Sequence, residues 1–135
     1  MVESLQVIAS HLDCKPGVAP EALGELERKL GTPLPNDYKD LLSLADGATG
    51  FYGAGYWIIY ASSDVPQNTA GYGAPEFAPG LVIIASNGGS GLYGIDTRSA
   101  DPGAMAYVEV DAITMSWDEI WFRADTLVEL FEHYR

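Results

Sequence analysis

Apolar residues recur with a helical period at both ends of the chain and with a strand period in the middle. Leu5, Ile8, Ala9 and Leu12 fall at i, i+3, i+4 and i+7, which predicts a short amphipathic helix closed by Lys15-Pro16-Gly17. Pro20 suits the first turn of a second helix with Leu23, Leu26 and Leu30 on its apolar face, Gly31 as its stop, and Glu25 and Lys29 spaced for an i,i+4 ion pair. A third helix follows Pro35, with Tyr38, Leu41, Leu42 and Ala45 as the buried stripe and Gly47 as its end. The period then shortens. Tyr56–Ala61 and Leu81–Ser86 are apolar on both faces, the mark of central strands covered on both sides. Asn87-Gly88-Gly89-Ser90 predicts a hairpin turn into a strand over Gly91–Thr97, because Asn and Gly tolerate positive φ. Ala104–Asp111 alternates, so Ala106, Val108 and Val110 should face the core, with Tyr107, Glu109 and Asp111 wet. Ser62–Pro79, with three prolines and two glycines, reads as a long loop. Leu127, Leu130, Phe131 and Tyr134 predict a closing helix with Asp125 as N-cap. Ser116 and Glu119 fit a capping box, and the pattern leaves Trp117–Arg123 open between a separate turn and part of that helix.

One domain accommodates 135 residues, taken here as 1–135, and 47% hydrophobic content excludes a disordered chain. No apolar run approaches the ~18 residues of a membrane span, and Leu5–Leu12 lacks a cleavage site, so a cytoplasmic address is expected. The single cysteine, Cys14, allows no internal disulfide.

Charge changes the picture most. Nineteen acidic and seven basic residues give −12, although charged residues are only 19% of the chain. The scattered cations cannot displace counterions from nucleic acid, and anionic membranes are disfavoured for the same reason. The acidic field favours either solubility alone or a basic protein partner.

Candidate chemistry is sparse. Gly89-Ser90-Gly91-Leu92-Tyr93-Gly94 matches a dinucleotide fingerprint, but a strand follows it where that site needs a helix. His11, Asp13 and Cys14 fit no metal-ligand spacing, and no cofactor is expected. No nucleophile motif accompanies the two histidines, and the Glu109/Asp111 and Asp118/Glu119 pairs read as solvated faces. The expectation is therefore a protein without catalytic activity. Surplus aromatics offer either loop lids or interface anchors. Phe51, Tyr52, Tyr72 and Phe77 lie beside flexible glycines with Asp64 and Glu76 nearby, and Asp101 and Glu109 extend the acidic surface. Tyr52 and Tyr72 are the expected anchors of a partner contact.

Three blocks give the chain a resemblance. Leu23-Gly24-Glu25-Leu26-Glu27, Leu34-Pro35, Asp37-Tyr38-Lys39 and Asp46-Gly47 follow one another; then come Pro79–Gly89 with Tyr93-Gly94-Ile95-Asp96, and finally Ala124-Asp125-Thr126-Leu127 to Phe131. In order and spacing these resemble the SUKH superfamily, which includes bacterial immunity proteins and fungal cell-wall assembly regulators. Asp46 stands where the family often has Asn, and Trp117–Arg123 looks like an insertion. The resemblance implies an α+β fold, with N-terminal helices and a C-terminal helix on a mostly antiparallel sheet. It also implies a binding role, neutralisation of a cognate and often nuclease toxin, or alternatively a regulatory or scaffold module; an enzyme is the third reading.

Overall fold

The computed structural model describes residues 4–135. Its elements are α1 (Leu5–Ser10), β1 (Asp13–Pro16), α2 (Pro20–Leu30), α3 (Asn36–Leu44), β2 (Ala45–Tyr52), β3 (Gly55–Ile59), α4 (Val65–Gly71), α5 (Ala74–Phe77), β4 (Leu81–Ser86), β5 (Gly91–Asp96), β6 (Ala106–Asp111), β7 (Ile120–Ala124) and α6 (Leu127–His133). Short 3-10 turns precede α4 and β6. The seven strands form one antiparallel sheet whose spatial order is their chain order. The fold class is α+β.

Of the two strands apolar on both faces, β4 is covered on both as its sequence dictates, whereas β3 buries fully only its Trp57 and Ile59 side. β3 and β4 are internal, and all six residues of β4 are buried. Trp57, Ile59, Val82, Ile84, Tyr93, Ile95 and Tyr107 form one side of a core that Ile8, Leu26, Tyr38, Leu41, Leu42, Leu130 and Phe131 cover from α1, α2, α3 and α6. A smaller core on the opposite face gathers Ala74, Ala78, Leu81, Ile83, Leu92, Val108, Val110 and Met115. The Asn87 turn forms as expected: Asn87 N–H donates to Gly91 O at 3.0 Å, and Gly88 takes φ 87°, which a side chain would disfavour. Gly31 likewise stops α2 at φ 72°.

Several expectations are corrected. Ser62–Pro79 is not an irregular loop: Pro66 and Pro75 occupy first-turn positions of α4 and α5, where their missing N–H costs nothing. Thr69 of α4 accepts from Ile83 N at 3.0 Å, satisfying a buried donor at the β4 register shift. Gly47 does not end α3; the helix stops at Leu44, and Ala45 already belongs to β2. Lys15-Pro16 lies in β1, and Trp117–Arg123 leads into β7. Thr126, not Asp125, caps α6 by accepting from Glu129 N at 3.1 Å. Glu25 pairs with Arg28 rather than Lys29. The Tyr107/Glu109 side of β6 is not wet, because α6 packs over it.

Candidate protein-binding surface

The helices α1, α2, α3 and α6 pack on one face of the sheet. On the other face α5 and the β6–β7 connection cover β4–β6, while β2 and β3 are only partly covered. Trp57 and Ile59 point into the helical core, so Tyr56 and Ile58 lie on the opposite side, half-buried beside the Gly88 turn, and Tyr60 packs against both cores. Antiparallel register sets Phe51 opposite Tyr56 and Thr49 opposite Ile58. Phe51 is 62% exposed, and its ring lies 4.9 Å from that of Tyr56. Tyr72 follows α4 and is 39% exposed. Burial pushes the Tyr60 hydroxyl up to about 12, and the adjoining Tyr72 hydroxyl adds to the rise, which places the two phenols side by side. Phe77, also exposed, lies against Gly73 at the start of α5. An open groove of about 330 Å³ runs beside this aromatic strip, lined by Asp13, Lys15, Thr49, Ile58, Tyr60 and Asp64.

The structure brings some of the expected residues to this surface and removes others. Phe51 and Asp64 border the partly open half-face, Tyr72 stands at its α4 side, and Phe77 and Glu76 extend along α5. Asp101 is exposed but lies at the β5–β6 connection, where it accepts from Gly103 N at 2.9 Å. Tyr52 is no anchor: it is 1% exposed, and its hydroxyl donates to Glu132 Oε1 at 2.6 Å. Alternation along β2 explains this, since Phe51 and Tyr52 must point to opposite faces and only one face is partly open. Glu109 is not a surface acid either. It is 6% exposed and accepts a hydrogen bond from Tyr134; burial raises its carboxyl above the usual range, and the tyrosine bond pulls against that rise. Tyr56 and Tyr60 belong to the surplus of aromatics along the chain, but a run apolar on both faces does not show that they and Ile58 are only half-buried.

Ion pairing leaves the net charge of −12 unchanged but uses up most of the cations. Arg28, Lys39, Arg98, Arg123 and Arg135 each pair with a carboxylate of the protein, leaving Lys15 and Lys29 outside any ion pair among the described residues. One of these pairs is structural. Asp96 receives Arg98 Nε at 2.9 Å and Nη2 at 2.8 Å, with Arg123 Nη2 at 3.1 Å. Arg98 also lies 3.7 Å over the Trp117 ring, whose Nε1 donates to Pro79 O at 2.8 Å, so the β6–β7 connection is tied to the sheet.

Burial alone would raise the Asp96 carboxyl, but the arginine bonds hold it at about 2, against 3.8 for a free aspartate. A depressed folded pKa contributes stability above the unfolded value that is lost as pH falls. Asp96→Asn is therefore expected to remove about 2 kcal/mol at neutral pH and to flatten the stability profile between about pH 4 and 2. Urea denaturation at stepped pH values checks this; a variant with an unchanged acid limb would contradict it.

No group of three or more His, Cys, Asp or Glu side chains converges on a possible metal position among the described residues. Both histidines pack on rings, His11 edge-on to Tyr52 at 5.4 Å and His133 stacked on Phe122 at 3.6 Å. No described helix is long and apolar enough to cross a membrane.

Helices packed on one face of an ordered antiparallel meander, with the other face partly open, define an α+β domain. The model of the SMI1/KNR4 (SUKH-1) family matches residues 17–133, and the chain belongs to that family, which includes immunity proteins. It is 32% identical over 124 residues to the uncharacterized protein YnaB of Bacillus subtilis (strain 168), an alignment covering 86% of this chain and 80% of that protein.

Proposed function

We propose that this protein is an immunity-type module that neutralises a basic toxin by binding it, without catalysing a reaction. The observation that carries the reading is the coincidence of exposed aromatics, Phe51, Tyr72 and Phe77, with a net charge of −12. Phe51, Tyr60 and Tyr72 supply rigid apolar contact area, and Asp64 and Glu76 supply complementary charge. Asp101 adds to long-range steering from outside the contact.

The direct experiment mixes the protein with the purified toxin domain encoded beside its gene and measures both binding and residual toxin activity. Phe51→Ala and Tyr72→Ala are each expected to weaken binding by about 1–2 kcal/mol, roughly 5- to 30-fold, with melting unchanged. Asp64→Lys and Glu76→Lys should slow association, and the wild-type on-rate should fall as salt rises. A toxin that binds yet keeps its activity would favour the scaffold reading instead. Affinity indifferent to all four substitutions would remove this surface from the proposal.

A further inference from the structure

The two edges of the sheet are finished differently. β1 is short and wholly exposed, contains Lys15 and Pro16, and has irregular register between Cys14 and Pro16. Its lysine and proline discourage another strand from pairing. β7 contains neither lysine nor proline. Its main-chain groups make no hydrogen bond beyond the β6 ladder among the described residues. A register shift opposite Glu109 and Val110 leaves Trp121 as the extra residue, 52% exposed and in no ring contact among the described residues. Phe122–Ala124 then continue in unbroken register with β6. The arginine in the strand, Arg123, is held by Asp96, whereas the carboxylates of Asp118 and Glu119 before the strand and Asp125 after it are exposed.

We propose that β7 is a strand-addition site for an extended, apolar segment of a partner protein with basic residues at both of its ends. This goes beyond the toxin-binding reading and shares with it only the basic character of the partner. Main-chain bonds from Arg123, whose N–H and C=O alternate away from β6, would supply affinity, Trp121 would cover the added strand, and the acidic brackets would select its flanks. The same brackets disfavour a second copy of this chain. Antiparallel self-pairing about Phe122 would set Glu119 opposite Asp125 at both ends, and directly opposed like charges destabilise a strand pair.

Amide hydrogen exchange of the full chain provides the test. The probe is a nine-residue peptide of alternating valine and threonine with two lysines at each end. Exchange at Trp121 and Arg123 is expected to slow by about tenfold at saturating peptide, whereas Phe122, whose N–H faces β6, should not change. Trp121→Lys should abolish the protection while leaving the melting temperature unchanged. Neither a peptide with glutamates at its ends nor one N-methylated along its pairing edge should protect these amides. Absence of protection by the lysine peptide overturns the proposal. Equal protection by the N-methylated peptide also overturns it, because that is ionic adhesion without strand pairing. Protection by the glutamate peptide overturns the stated partner chemistry, and protection that rises with protein concentration alone assigns the edge to a second copy. None of these outcomes bears on Phe51 and Tyr72, so the toxin-binding reading stands or falls separately.

Discussion

Tyr52→Ala is expected to destabilise the protein by about 3–5 kcal/mol, the range for truncating a buried aromatic, and to lower its melting temperature by about 10 °C or more. The ring packs edge-on against Phe131 with centroids 6.5 Å apart, beneath the Arg135 guanidinium at 5.2 Å, and its hydroxyl reaches Glu132 at 2.6 Å. Removing it opens a void between the end of β2 and α6 and deprives Glu132 of a donor. Tyr52→Phe keeps the volume and loses only the hydrogen bond, so it should cost about 1 kcal/mol. The neighbouring Phe51→Ala should melt like wild type, because 62% of Phe51 is already in water. Thermal unfolding followed by circular dichroism separates the three variants. A Tyr52→Ala protein that melts normally but binds its partner poorly would contradict the buried placement.

Asp37→Ala is expected to cost about 3 kcal/mol, more than its position near the surface suggests. One carboxylate oxygen accepts from the Tyr107 hydroxyl of β6 and from Tyr38 N at 2.9 Å; the other accepts from Leu127 N at 2.9 Å, the first donor of α6. Tyr107 and Leu127 are each 1% exposed, so losing Asp37 strands two buried donors at about 1–3 kcal/mol apiece, offset in part by relaxation. The loss should appear in urea denaturation as a lower midpoint. Asp37→Asn offers the Tyr107 hydroxyl and Leu127 N–H only one carbonyl oxygen, so it should rescue part of the loss. Full stability in Asp37→Ala would show that water replaces the carboxylate at no cost.

What could be read from the sequence follows burial. β4 and β5 were legible almost to the residue because a core strand must be apolar throughout and an Asn-Gly turn admits few alternatives. The edge strands were not legible: a strand paired on one side only carries no compulsory pattern, so Lys15-Pro16-Gly17 read as a helix stop and Trp117–Arg123 as an insertion. β2 was hidden by Gly47 and Gly50, which dilute its alternation. In Ser62–Pro79 the prolines looked like loop residues but start helices, because the first turn alone tolerates them. The site was half legible. Phe51, Tyr72 and Asp64 could be found from glycine-rich surroundings, whereas separating Phe51 from Tyr52, or an exposed acid from Glu109 beneath Tyr134, required knowing which face α6 covers. Asp125 and Thr126 are both good caps, and only the backbone path chose between them.

Chain-ordered pairing has a consequence for the newborn polypeptide. Each strand from β2 onward meets a neighbour that has already left the ribosome, so the sheet can be laid down in step with translation, with little loop-closure cost. Its helical side cannot be sealed that way. Trp57, Tyr93 and Tyr107 stay uncovered until Leu127–His133 has been synthesised. A message broken shortly before codon 127 would thus yield a nearly complete sheet with a sticky flank, a substrate for proteases and chaperones rather than a shorter working protein.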